Sequence, residues 1–444
     1  MTSETIVRSL TLANPWWSGQ PIPNQYLPAY ERPQLQIVME YRSLGRIIVV
    51  KGPRRTGKTT LIYQYISRLL KEGVNPTQIL FVSHDDLTLR LPLQELLDSY
   101  NILTRPDPGD KFVFLDEVQF LPNWSDMAKV ITDRDKLLHL VVSGSSSSII
   151  SRGSESLAGR TVEELLLPFS PREIFQLQNP AINLSAPVGS DLVSCLTYDP
   201  SMAAQIVPIQ KVTDKYLHRG GFPHLLETKP DSLWLELLRT DIVHKAIYRD
   251  LADLYQISDP ATLERLFLYL VSVTSSILNS TSVAGQLKLG RATLNRYLQF
   301  LISAYLVFSL PKYSLYPKEV LKSQEKIHTI DPGLAQLVSP PGRNRLLESS
   351  IAGLLLRHKL QHLYYWRDNY EVDCIAQQNE RLVPIEIKDS PVAPSPTQVR
   401  GLINFMEKFN VKDGYVIYQG EAQEKIIHGT KIHFIPAWYA LIRL

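Results

Sequence analysis

Ile47-Ile48-Val49-Val50-Lys51-Gly52-Pro53-Arg54-Arg55-Thr56-Gly57-Lys58-Thr59-Thr60 is the stretch from which the fold of this chain is read. A β-branched run enters a loop of the form G-x-x-x-x-G-K-T. The helix that leaves the loop carries Leu61, Ile62, Tyr65, Ile66, Leu69 and Leu70 at helical spacing. Gly52 and Gly57 let the backbone curl so that its N–H groups point inward. The start of the next helix adds partial positive charge at the same point. Such a cradle suits a nucleotide triphosphate, ATP being the expected ligand. Backbone and side chains from Gly52, Pro53, Arg54, Arg55, Thr56, Gly57, Lys58, Thr59 and Thr60 would line it. Lys58 would reach the β- and γ-phosphates, and the Thr59 hydroxyl would hold Mg²⁺.

Phe112-Val113-Phe114-Leu115-Asp116-Glu117 supplies the second half of the site. Four apolar residues make a central strand, and two carboxylates emerge at its carboxyl end, where open α/β sheets bind ligands. Asp116 would hold Mg²⁺ through water, and Glu117 would polarise the attacking water. Ser143, in Val141-Val142-Ser143-Gly144-Ser145, ends a neighbouring strand and could sense the γ-phosphate. Arg160, in Leu157-Ala158-Gly159-Arg160, lies in the next loop. It is read either as an arginine finger, within its own subunit or across an interface, or as a surface arginine.

The 444 residues exceed one ordinary core, so two or three domains are expected. Hydrophobic content of 44% and charged content of 20% suit a folded α/β protein without a membrane span. Residues 1–10 carry Glu4 and Arg8 and no apolar segment, so a secretory leader is not expected. Cys195 and Cys374 form neither a metal pair nor a disulfide framework, which fits a reducing cytoplasm. Residues 1–45 are proline-spaced and read as an extended lead-in ending in a helix over 33–43. Residues 46–212 alternate strands and helices, the pattern of a parallel sheet, and 178–211 read as an irregular insertion or lid. Residues 213–326 are helical and end in the helix, turn, helix, strand order of a winged helix. Between 286 and 326, Lys288, Arg291, Arg296, Lys312, Lys318, Lys322 and Lys326 stand against only Glu319 and Glu325. This basic stretch suits either phosphate contacts or a solvated docking face. Residues 327–444 return to α/β character.

Five strings together resemble a prokaryotic AAA+-type ATPase family: G-P-R-R-T-G-K-T-T, V-F-L-D-E-V-Q, V-S-G-S-S-S-S, E-S-L-A-G-R and L-P-F-S-P-R-E. Gly220-Gly221-Phe222-Pro223 and Asp331-Pro332-Gly333-Leu334 fall where that family has its G-G-[FY]-P and D-x-G-L strings. In it the ATPase is fused to a C-terminal domain of unknown function similar to restriction-endonuclease-like folds. The resemblance implies a P-loop NTPase sheet and site residues Lys58, Asp116, Glu117, Ser143 and Arg160.

Near the C-terminus, Glu371-Val372-Asp373-Cys374-Ile375 precedes Pro384-Ile385-Glu386-Ile387-Lys388. Alternation puts Glu386 and Lys388 on one strand face. A turn near 377–380 would bring Asp373 beside them, and Glu348 lies on a helix that could reach the same point. The set resembles the PD-(D/E)XK nuclease core, with Glu348, Asp373 and Glu386 as metal ligands and Lys388 as the charge-stabilising lysine. The same strings also suit a domain that only grips its partner, DNA or protein. A homo-oligomer is a further open reading. His358 and His362 read as packed or surface histidines.

Overall fold

The computed structural model describes residues 3–444 except 122, 146–156, 158, 183, 185–190 and 359. Of the serine string after Gly144, only Ser145 falls within them. Glu155, Ser156 and Ala158 of E-S-L-A-G-R also lie outside. The chain forms two compact units, Met1–Leu167 and Pro168–Leu444. The division thus falls well before residue 212, where the change of sequence pattern placed it.

In the first unit, β1 (Ile47–Lys51), β2 (Ile79–Ser83), β3 (Lys111–Asp116), β4 (Leu138–Gly144) and β5 (Thr161–Leu165) form one sheet. Their order is β2-β3-β4-β1-β5, with every neighbouring pair parallel. Strand alternation sends Ile47, Val49, Val113 and Leu115 to one face, against helices Leu93–Thr104 and Trp124–Arg134. It sends Ile48, Val50, Phe112 and Phe114 to the other, against helix Lys58–Lys71. Both faces are covered, so the strands read as continuous apolar runs. Each buried Val, Leu or Phe contributes about 1.5–3 kcal/mol.

The segment expected to be an extended lead-in belongs to this core. Ser3–Ala13 is a helix that buries Ile6 and Leu10, and Trp16, Ile22, Leu35 and Val38 fill the opposite layer. Asn14 is the reason the segment docks here. Strand β2 is an edge, with unpaired backbone groups. The Asn14 side chain donates to Phe81 O at 2.9 Å and accepts from Phe81 N–H at 2.6 Å, as another strand would. The indoles of Trp16 and Trp17 both donate to Ile79 O, at 3.1 and 2.8 Å.

The second unit begins with helices, among them Pro171–Gln178, Ile206–Arg219 and Pro260–Ser272. A short strand β6 (Ser276–Ile277), helices Ser280–Gln286 and Arg291–Ser303, and strands β7 (Val307–Leu310) and β8 (Lys326–Thr329) follow. These strands form an antiparallel sheet ordered β6-β8-β7. After helix Arg343–Leu355 come β9 (His362–Arg367), β10 (Glu371–Gln378), β11 (Arg381–Lys388), β12 (Asp413–Tyr418), β13 (Gln423–Ile427) and β14 (Thr430–Pro436). Their mixed sheet has the order β13-β14-β12-β11-β10-β9. Asn379 and Glu380, both at positive φ, make the two-residue turn between β10 and β11.

The stretch expected as a lid lies in this second unit. Helix Leu192–Leu196 starts with Leu192 N–H donating to the Gln378 side chain at 2.8 Å, and Asp199 N–H donates to the Tyr439 hydroxyl at 3.0 Å. Three sequence strings also meet here. Asp331 accepts from Gly221 N–H at 2.7 Å and Gly333 N–H at 2.9 Å, and Gly221 O accepts from Phe169 N–H at 2.7 Å. A Cβ on Gly221 would lie 1.9 Å from Phe169 O, and one on Gly220 1.7 Å from Asp331 Oδ1. L-P-F-S-P-R-E itself is a capping box: Ser170 and Glu173 satisfy each other's backbone N–H at the start of helix Pro171–Gln178. Among the described residues no helix is long and apolar enough to cross a membrane.

Asn14→Ala strips partners from two buried backbone groups of β2 while leaving every apolar contact of the sheet in place. It is expected to destabilise the protein by about 2–6 kcal/mol, from about 1–3 kcal/mol per orphaned group. Denaturant unfolding of wild type and variant measures this.

Candidate functional site

Strand order brings the first site together. β4 lies between β1 and β3, so three carboxyl ends stand side by side, with Val50 opposite Ser143 and Leu115 opposite Val142. Beyond β1 the chain turns at Gly52, where φ is +152° and a Cβ would meet Leu166 O at 2.2 Å. Arg55 and Gly57 take left-handed backbone, and Gly57 O accepts from Leu61 N–H at 2.9 Å as the helix begins. The Lys58 ammonium lies inside this loop, donating to Gly52 O at 3.0 Å and Pro53 O at 2.8 Å. Thr56 Oγ donates to Pro53 O at 3.0 Å.

Two polar chains cross the strand ends. Thr59 donates its hydroxyl to Asp116 Oδ2 at 2.7 Å, and Ser143 donates to Asp116 Oδ1. Asp116 is buried. Burial, with Glu117 adding to it, pushes its carboxyl up to about 6 against the opposing hydroxyl bonds. Glu117 sits in left-handed backbone at φ 55°, an uncommon state for a residue with a Cβ. Gln119 donates to its carboxylate and also to the Ser145 hydroxyl at 3.0 Å.

Arg160 is elsewhere. Its carbonyl accepts from Ile47 N–H at 2.9 Å, at the amino end of β1. The phosphate loop leaves the other end, roughly 16 Å away along the strand at ~3.3 Å per residue. The guanidinium pairs with Asp133 at 3.1 Å. The reading in which Arg160 completes its own subunit's site is therefore corrected: parallel pairing fixes the residue before β5 at the opposite sheet edge.

The C-terminal acids do converge, but on a lysine. Lys326, 1% exposed, lies 2.5 Å from Glu348, 2.6 Å from Glu371 and 3.2 Å from Asp373. Asp373 Oδ2 also accepts from Ile387 N–H at 2.8 Å, and Lys388 pairs with Glu386 at 2.5 Å. Burial, then Asp373, pushes Glu386 up to about 8, and the same two causes raise Glu348 well above the usual carboxylate range. Among the described residues no three His, Cys, Asp or Glu are placed to hold a metal ion. This arrangement sets the expected ligands Glu348, Asp373 and Glu386 against lysine ammonium groups. It also removes Lys326 from the basic surface, while Lys288, Arg291 and Arg296 are exposed. Cys374 is buried in β10.

Residues 44–175 match the AAA domain family, 210–342 a domain of unknown function (DUF8612) and 343–439 another (DUF4143). Most of the first of these stretches lies in the first unit, whose sheet is thus similar to an AAA domain. An uncharacterized protein of Methanocaldococcus jannaschii is 25% identical over 412 residues, 89% of this chain and 88% of its own. One of Haemophilus influenzae is 23% identical over 424 residues, 91% of this chain and 96% of its own. Among solved structures, AMPPCP-bound DnaA from Aquifex aeolicus overlaps 64% of this chain and 90% of its own at 13% identity and a TM-score of 0.25.

Two residues of the AAA domain site escape sequence reasoning. Arg32, buried, donates to Thr56 O at 3.0 Å and Leu167 O at 2.9 Å, and so supports the loop from behind. Gln119 orients Glu117. Arg32 gives no sequence signal, because its partners lie 24 and 135 residues away. Gln119 was legible only as part of V-F-L-D-E-V-Q.

Gly52→Ala is expected to destabilise the AAA domain by about 1–3 kcal/mol through overpacking against Leu166 and to weaken nucleotide retention. Thermal unfolding and binding of a fluorescent ATP analogue report the two effects.

Proposed function

We propose that the AAA domain binds and hydrolyses ATP with Mg²⁺, as a nucleotide-driven switch on a chain whose second unit engages DNA or a protein partner. The observation that carries the reading is the Thr59–Asp116 pair, 2.7 Å apart, beside a loop that encloses the Lys58 ammonium. Two hard oxygen donors converge on one point. Mg²⁺ favours such sparse sites, completing its six positions with substrate phosphate and water. Thr59 and Asp116 would hold the ion, which supplies charge neutralisation at the phosphates. Lys58 would exchange its carbonyl partners for phosphate oxygens. Glu117, oriented by Gln119, would accept the proton of the attacking water, with Ser143 at the γ-phosphate side.

For the second unit, the helix, short strand, helix, turn, helix and β-hairpin order of 260–329 supports a winged-helix reading. Exposed Lys288, Arg291 and Arg296 sit at the turn and on the second helix, where such modules meet DNA. Because the acids near Asp373 close on Lys326, the nuclease-like reading of 327–444 is kept as a resemblance of fold, and no cleavage step is assigned to it.

Lys58→Ala is expected to abolish ATP retention. Glu117→Gln should bind ATP but turn it over about 10²–10⁴-fold more slowly. Filter binding and phosphate release check both, and unchanged turnover in the two variants would refute the assignment. Arg291→Ala and Arg296→Ala are each expected to weaken duplex binding across sequences and to lower its salt slope by about 1. Fluorescence anisotropy at several salt concentrations measures this. A flat salt response in the wild type would favour a protein partner instead.

A further inference from the structure

We propose that Lys326 takes the place of a divalent cation in the C-terminal acid cluster, so that the protein's own ammonium occupies its centre and Mg²⁺ or Mn²⁺ is excluded from it. The inference does not depend on nucleotide chemistry in the first unit. Glu348 comes from helix Arg343–Leu355, Glu371 and Asp373 from β10, and all three reach the Lys326 Nζ within 2.5–3.2 Å. An octahedral Mg²⁺ needs its oxygens at about 2.0–2.1 Å. The ammonium fills the volume from which such an ion would contact these carboxylates.

Nor is the lysine free to leave. β8 is the central strand of its sheet, with Lys326 opposite Ile277 on one side and Leu310 on the other. The side chain is 1% exposed, and its neighbour Ile327 is fully buried. Pairing on both edges of β8 fixes the Lys326 backbone, and the close packing around its side chain opposes a swing of the ammonium into water. The remaining acid, Glu386, already has Lys388 at 2.5 Å. Four carboxylates therefore share two ammonium groups, both supplied by the chain. Burial alone would strip Lys326 of its proton, but Asp373, Glu348 and Glu371 together outweigh it and hold the group well above its usual range. Lys326 is thus the shared ion-pair partner of the three acids. It also works as a strut, tying the strand that closes the three-stranded sheet to the helix and strand of the six-stranded one.

Mn²⁺ titration of the nucleotide-free full chain, followed by the electron paramagnetic resonance signal of free Mn²⁺, tests the proposal. Wild type and Asp373→Asn are expected to retain the same number of Mn²⁺ ions, and so is Glu386→Gln. Lys326→Met should retain one more, lost again in Lys326→Met/Asp373→Asn, and its melting temperature alone should rise with Mn²⁺. Lys326→Arg, which keeps the charge, should gain none. A wild type that loses one Mn²⁺ on Asp373→Asn or Glu386→Gln would overturn the proposal. So would a folded Lys326→Met that gains no site. If Lys326→Met fails to fold, the comparison of wild type with the two acid variants still decides.

Discussion

Asp116 carries a carboxylate into a position 3% exposed at the end of β3, and the whole carboxyl edge of the first sheet is organised around it. A desolvated carboxylate needs hydrogen bonds or a counter-charge. Thr59 and Ser143 supply hydroxyls from the two flanking features, the phosphate loop and β4. They can do so only because β4 separates β1 from β3 in the sheet. Hydroxyls are neutral, so the carboxyl stays raised to about 6. The electrostatic deficit left at that point is the kind a bound divalent cation relieves. Loop, strand order and acid are thus one construction.

That construction was legible in the sequence because its signals are local. Glycine spacing, a β-branched run and an apolar strand ending in Asp116-Glu117 each report on their own neighbourhood. Strands buried on both faces need no long-range knowledge to be recognised. Arg160 shows the limit of such reading. Its string names the loop correctly, but Thr161 opens β5, and in a parallel sheet the residue before a strand stands at the amino edge. Combining the two facts would have placed it away from the phosphates. Asn14 and Arg32 are harder. Their roles are to satisfy backbone groups 67 and 135 residues distant, and nothing in their sequence context announces that.

Lys326 was misread for a related reason. In Lys326-Ile327-His328-Thr329 the apolar residue alternates with polar ones, the pattern of a half-exposed strand. β8 is central in its sheet and buried along its whole length, so the polar side chains point into structure. His328 accordingly stacks on Phe308 and contacts the Ser275 hydroxyl at 3.2 Å. Counting Lys326 with Lys288, Arg291 and Arg296 put into one patch a residue that neutralises acids 22 to 47 positions later. The glycine strings have a purely local structural reason. Gly220-Gly221 and Asp331-Pro332-Gly333 look like site motifs, yet their spacing is explained by chain crossings too close for a Cβ.

The two acid sites illustrate one rule with opposite solutions. At Asp116 the protein provides hydroxyls and the field of the Lys58 ammonium, and on the proposed reading further positive charge would come with a bound ion. At Asp373 it provides the charge itself. A buried ion cluster of this kind contributes little net stability against an apolar core, because desolvation consumes most of the attraction. Removing one member, however, strands the others. What the cluster supplies is therefore specificity of arrangement: Glu348 and Asp373 are buried, with Glu371 partly exposed beside them, around an ammonium that arrives with β8 docked in register. A metal ion would have achieved the same neutralisation, but its occupancy would vary with conditions. An ammonium on a central strand does not vary, and the acid order that resembles a nuclease is held as architecture.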